Sequence, residues 1–266
     1  IYVANDLGNN FLKKIDENGK VVWTKSAKGE SESPLGKNYP NSINLDPSGN
    51  ILVAGYFTSD TLQFGTTIIK RVSKVDMFTA KFDSKGDLIW AKTAAVGCIG
   101  NVGYKVASDV NGNVLVVGSY LSHNLTIGAT TLTNPCPSIV QQQCGDVGCA
   151  SMLVVKYDKD GNALWAKSSF AGIGTSYCYS VATDVDNNIY VGGDFLGRRA
   201  IVKYNSNGDT LWTQKNGGWY VTMDKSGNLF SGEGNKNGDV KDAVVQKYDK
   251  TNGKVLWTKA STLNTN

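Results

Sequence analysis

Residues 156–167 read KYDKDGNALWAK, and edited copies stand at 14–25 (KIDENGKVVWTK), 81–92 (KFDSKGDLIWAK), 203–214 (KYNSNGDTLWTQ) and 247–259 (KYDKTNGKVLWTK). A fixed phrase met five times constrains a fold more than any bulk property, because each copy must solve the same local problem. A second phrase alternates with it: DPSGNILVAGYF (46–57), DVNGNVLVVGSY (109–120), DVDNNIYVGGDF (184–195) and DKSGNLFSGEG (224–234). The opening IYVANDL matches the second half of that phrase.

The repeat tryptophans Trp23, Trp90, Trp165, Trp212 and Trp257 are 67, 75, 47 and 45 residues apart. The minimal unit is therefore about 45 residues, and two units carry insertions. Each unit holds four short apolar runs of strand length. ILVAGYF and VLVVGSY are apolar almost throughout, as expected of strands covered on both faces. Asp, Asn and Gly between the runs supply tight turns. Glycine, 30 of 266 residues, exceeds the usual ~7% for that reason.

Four strands per unit, repeated, predict an all-β fold: a β-propeller of four-stranded antiparallel blades. One blade cannot bury its own faces, and neighbours in a ring bury them mutually. The expected organisation is a single domain over 1–266 with five blades, at approximately 1–25, 39–92, 104–167, 179–214 and 220–259. The first blade lacks its innermost strand, which leaves room for a place in a larger ring.

The phrases resemble the bacterial β-propeller repeat family labelled SBBP. The resemblance rests on the Trp-ending hairpins, the DxxGN hairpins and the segments LQFGTTII (62–69) and LTIGATTL (125–132). It covers nearly the whole chain, although the fourth and fifth units lack the xxFGTT segment. It implies a secreted or cell-surface bacterial protein.

With the strands lettered A to D from the centre outward, the A–B and C–D turns are short and share one face. The B–C connections (58–76, 121–150, 196–200, 234–242) and D–A connections (26–38, 93–103, 168–177, 215–218) are longer and share the other. Long loops on a rigid scaffold are where binding concentrates. Trp219, the sixth tryptophan, stands outside the repeat phrase there. Tyr39, Tyr104, Tyr179 and Tyr220 begin the A strands, with Tyr177 just before one of them. These six aromatics are the candidate ligand-binding residues, suited to stacking a sugar ring; packing among themselves is the alternative.

All five cysteines fall in or beside the same loops. Cys98, Cys136, Cys144, Cys149 and Cys178 are disulfide candidates, which implies an oxidising compartment. An odd count leaves one thiol over. The C-x7-C-x4-C spacing is not a zinc pattern, so no metal is expected.

Catalysis finds little support. One histidine, His123, makes any Ser–His–Asp arrangement depend on a loop residue. Paired carboxylates for glycoside cleavage would have to come from residues such as Asp60, Asp194 and Glu233. The DKDGN-type loops lack the distal Glu of a calcium loop and read as hairpin turns. The lysines opening each Trp phrase (Lys14, Lys81, Lys156, Lys203, Lys247) read as guards of the sheet edge. No cofactor is expected.

The net charge of +4 is spread along the chain, against nucleic-acid binding. No apolar run reaches membrane-spanning length, against membrane insertion by a helix. The start at IYVAND lacks the features of a signal peptide and fits a mature or excised piece. The leading expectation is a binding or adhesion module that presents its long-loop face to a glycan or a surface protein. The alternatives are a scaffold domain without a small ligand and, less favoured, a carbohydrate-active enzyme.

Overall fold

The computed structural model describes residues 1–4, 11–30, 38–94, 100–134, 149–168, 174–234 and 243–261. Blade one comprises β1 (Tyr2–Ala4), β2 (Leu12–Ile15) and β3 (Val21–Lys25), in that order across its sheet. After the short β4 (Lys28–Glu30), the chain forms β5 (Asn38–Leu45), β6 (Ile51–Phe57) and the hairpin β7 (Thr61–Phe64) and β8 (Thr67–Lys70). Then come β9 (Asp76–Phe82) and β10 (Leu88–Thr93). Blade two is the sheet β5-β6-β9-β10.

Blade three repeats the plan with β11 (Asn101–Ser108), β12 (Val114–Tyr120), the hairpin β13 (Asn124–Ile127) and β14 (Thr130–Thr133), β15 (Ser151–Tyr157) and β16 (Ala163–Ser168). Blade four is β17 (Tyr177–Thr183), β18 (Ile189–Phe195), β19 (Arg198–Tyr204) and β20 (Thr210–Lys215). Blade five is β21 (Tyr220–Met223), β22 (Leu229–Gly234), β23 (Ala243–Tyr248) and β24 (Val255–Ala260). Every pairing is antiparallel and sequential within a blade, so the chain is an all-β propeller.

The B–C connections of blades two and three are not open loops. Their xxFGTT segments fold into the hairpins β7–β8 and β13–β14, and β4 adds a third strand beside β7. Leu62, Phe64, Leu125 and Ile127 turn inward from these hairpins and are buried. The segment thus caps a seam between blades, a packing role that its alternating pattern carries.

Four hydrophobic cores occupy the four seams between consecutive blades. The period of two decides which seam each residue joins. In β12, Val114 and Val116 enter the core shared with blade two, whereas Leu115 and Val117 enter the core shared with blade four. Both faces are therefore buried, which is why the strand reads apolar throughout.

The DxxGN hairpins are shaped by their first residue. Asp158 Oδ1 accepts hydrogen bonds from the backbone N–H groups of Asp160 (2.9 Å) and Asn162 (2.8 Å), and Oδ2 accepts from Asn162 Nδ2 (2.9 Å). Asp46, Asp109 and Asp184 do the same in their own turns. These carboxylates hold backbone, as a turn requires.

Three lysines of the Trp phrase, Lys81, Lys156 and Lys203, do not guard edges. Lys81 and Lys156 are buried, and each pairs at 2.9 Å with the hairpin aspartate of its own blade, Asp46 and Asp109 respectively. Each also reaches the next blade. Lys81 Nζ (3.2 Å) and Trp90 Nε1 (3.1 Å) donate to one oxygen, the carbonyl of Lys159. Lys156 and Trp165 converge likewise on Ser206 O, and Lys203 and Trp212 on Lys250 O. The turn glycine beside each carbonyl lies against the indole. At Gly161, with φ +85°, a Cβ would fall 2.8 Å from Trp90. The Trp phrase is thus the joint between blades, and burial of a paired charge there is sustained by hydrogen bonds on both sides.

Candidate binding site at the inner strands

The innermost strands β5, β11, β17 and β21 stand side by side and are stitched by side chains. Asn41 Nδ2 donates to Gly103 O (2.9 Å), Thr183 Oγ1 to Ser108 O (2.8 Å) and Ser180 Oγ to Val221 O (3.0 Å). Along this wall lies a cavity of about 640 Å³, lined by Tyr104, Tyr179 and Tyr220 and by polar groups including Asn41, Lys105 and Thr222.

A bulge in three of the inner strands sets what the cavity sees. The register of β5, β11 and β17 skips one residue: Asn41, Tyr104 and Tyr179. A bulge bends the strand and re-aims the skipped side chain. The partner strand carries glycine opposite. At Gly118 a Cβ would lie 1.9 Å from the carbonyl oxygen of Val102, and Gly55 and Gly193 are equally confined. Each skipped residue stands five positions before the aspartate of its DxxGN hairpin. Trp219 stands five before Asp224. Trp219 is therefore not outside the repeat, as its sequence neighbours suggested. It occupies the position of Tyr104 and Tyr179.

The rings converge on Tyr179. Tyr177 stacks on it at 5.8 Å, Tyr104 approaches at 5.8 Å and Tyr220 at 6.4 Å, and Trp219 meets it edge-on at 6.5 Å. Burial, followed by the negative potential of Tyr104 and Asp194, pushes the Tyr179 hydroxyl up to about 12. The same causes raise Tyr177. Both are neutral hydrogen-bonding groups across the physiological range. Five of the six expected aromatics thus form one cluster. Tyr39 is elsewhere, stacked on Tyr56 at 4.7 Å.

One flank of the cluster departs from the repeat. Where three blades have Gly55, Gly118 and Gly193, blade five has Glu233. Arg199 of blade four donates to Glu233 Oε2, and its guanidinium lies 6.0 Å from the Trp219 ring centroid. Arg199, Asn41, Asn44 and Lys105 went unnoticed in the sequence reading. Counting positions back from each DxxGN aspartate finds Asn41; Arg199 carries no periodic signal.

The other candidates separate. Asp60 is in blade two, paired with Arg71 at 2.7 Å. His123 is exposed at the entry to β13. Cys178 is a free thiol, wholly buried among the side chains between blades three and four, and desolvation raises its pKa. It is thus removed from the disulfide candidates, because the alternation of β17 points it inward. Cys149 is disulfide-bonded. Cys98, Cys136 and Cys144 lie outside the described residues. Among the described residues no cluster of three or more His, Cys, Asp or Glu side chains is placed to hold a metal ion.

Comparison with known proteins supports the propeller. A family model described as a domain of unknown function (DUF5122) beta-propeller matches residues 186–210. An uncharacterized WD repeat-containing protein of Acanthamoeba polyphaga mimivirus is 28% identical over 232 residues. That match takes in 77% of this chain, and the chain spans 16% of the relative's length. Among solved structures, a protein of unknown function from Bacteroides caccae superposes with a TM-score of 0.52 at 12% identity. The superposition covers 97% of this chain and 72% of that one.

Proposed function

We propose that this propeller is a binding module whose ligand is a glycan, held at the aromatic cluster on the inner strands. The observation that carries this reading is the convergence of Tyr104, Tyr177, Trp219 and Tyr220 on Tyr179 beside a cavity of about 640 Å³. Aromatic faces accept the apolar side of a sugar ring, while amide and hydroxyl groups such as Asn41 and Thr222 suit its hydroxyls. The site is nearer the ring centre than the long loops, which then serve as its rim.

The setting we propose is extracellular, at a bacterial surface. The disulfide at Cys149 supports an oxidising compartment, and the SBBP-like phrases support the same setting. The enzyme reading is less well supported. Of the three candidate carboxylates, Asp60 pairs with Arg71 in blade two, Glu233 pairs with Arg199, and Asp194 stands opposite that same Arg199 in the β18–β19 ladder; carboxylates held at an arginine do not suit a cleaving pair.

The test is binding of the full chain to a broad glycan array, with Tyr179→Ala and Arg71→Ala beside it. The reading expects saturable binding that falls at least tenfold in Tyr179→Ala and survives in Arg71→Ala. Absence of any glycan bound above background by the unaltered chain would sink it and favour a protein-contacting scaffold.

A further inference from the structure

One inner-strand position meets the next blade in every unit, and in blade three it changes character. Four residues before each DxxGN aspartate stand Ser42, Lys105, Ser180 and Tyr220. In blades two and four this residue is a buried serine that stitches the seam. Ser42 Oγ accepts from Val106 N–H (3.2 Å), and Ser180 Oγ accepts from Val221 N–H (3.1 Å) while donating to Val221 O (3.0 Å). The Lys105 ammonium has no acceptor and cannot take the part of that hydroxyl. Lys105 stands opposite Val117 in the β11–β12 ladder, and Val117 enters the core shared with blade four. Directly opposed residues share a face, so Lys105 is directed toward blade four. It is half-buried there and lines the cavity of about 640 Å³. Among the described residues Lys105 takes part in no ion pair. Of the described residues lining the cavity it is the one that carries a charge. Glu233 is paired with Arg199, Asp194 stands opposite that arginine, and neither carboxylate lines the cavity.

We infer that Lys105 makes this cavity selective for an anionic glycan, its ammonium pairing with a carboxylate or sulfate of a sugar whose ring rests on the Tyr179 cluster. The inference rests on the glycan reading above and names the class of sugar. Blade three exchanges a seam hydrogen bond for a cation facing the cavity, and the fold itself gains no ion pair from the exchange. A half-buried ammonium holds donors that an anionic oxygen satisfies more strongly than a neutral hydroxyl does. Lysine is a compact point charge on a flexible stem, so it suits either group without the planar fork that arginine offers. The remaining contacts are shared with neutral sugars: tyrosine faces for the apolar side of the ring, Asn41, Asn44 and Thr222 for its hydroxyls. Selectivity therefore falls to the one charged contact, and the lining sets no carboxylate against an incoming anion.

The test measures binding of the full chain to matched pairs: uronate oligosaccharides with their methyl esters, and sulfated galactans with their desulfated counterparts. The unaltered chain is expected to bind one charged member at least about tenfold more tightly than its neutral partner. The pair that shows this preference tells carboxylate from sulfate. Lys105→Ser, which matches the residue type of blades two and four, should cut the preference below about twofold. Lys105→Met repeats the comparison if the serine variant does not fold. Lys105→Arg should keep the preference, and so should Lys70→Met, which removes the same charge from an exposed site on β8. Equal binding of charged and neutral members, or a preference that survives Lys105→Ser, overturns the inference and leaves the glycan reading standing. A preference lost equally in Lys70→Met overturns it as well, because net charge is then the cause. No saturable binding of any member by the unaltered chain sinks both.

Discussion

Two aromatic sets differ in how they follow the repeat. The outer tryptophans keep their residue type in all five blades, and three share one pair of contacts: an indole N–H on a turn carbonyl and a ring under a turn glycine. The inner position five residues before each DxxGN aspartate changes from Asn41 to Tyr104, Tyr179 and Trp219. Uniformity marks the part that every blade needs in order to stack. Variation on an equally regular backbone marks the part that individual blades are free to use.

That contrast can be broken by mutation. Lys156→Met should have the largest effect, because it strands the buried Asp109 carboxylate; loss of a buried partner costs about 3–5 kcal/mol. Trp90→Ala, which opens a cavity at a joint, should cost about 3–5 kcal/mol by urea unfolding. Tyr179→Ala should be milder, about 1–2 kcal/mol, since its ring is only half-buried. If Tyr179→Ala proved as damaging as Trp90→Ala, the inner cluster would be structural and the contrast would fail.

Titration sharpens the same contrast more gently. Burial alone would raise Asp46, and hydrogen bonds from Asn50 and Lys81 more than offset it, so its pKa lies below 3.8. In Asp184 the hydrogen bonds of Asn188 and Tyr190 likewise outweigh burial. Stability contributed by these depressed carboxyls is present above pH ~3.8 and lost as pH falls below it. Tyr179 is raised from 10.0 to about 12, so its contribution is complete below pH ~10 and lost as pH climbs toward 12. Unfolding midpoints followed across pH 2–5 and pH 9–12 check both limbs. Tyr179→Phe should weaken only the alkaline limb.

The blades were legible because their determinants are local and recur: turn aspartates, apolar runs and a tryptophan at fixed spacing. The xxFGTT segments were visible as phrases but were assigned to loops; each closes on itself as a local hairpin, and only the added strand β4 beside β7 comes from a distant connection. The lysines were misread for a related reason. Lys81 is satisfied by Asp46 in its own blade and by Lys159 O in the next, and neither contact has a sequence signature. The inner aromatics were found by residue type, while Arg199 and Glu233 meet across blades four and five and answer to no period.

Three of the joints have a direction: donors on one blade, an acceptor turn on its successor. A duplicated blade therefore inherits both halves of that joint, although contacts particular to one pair of blades, such as Arg199 with Glu233, are not duplicated with it. Insertion, loss and copying of whole units then keep the joint's chemistry, and the number of blades can drift around it. Such a chain can vary its circumference by recombination and its inner lining by point substitution, two independent routes to diversity on one framework.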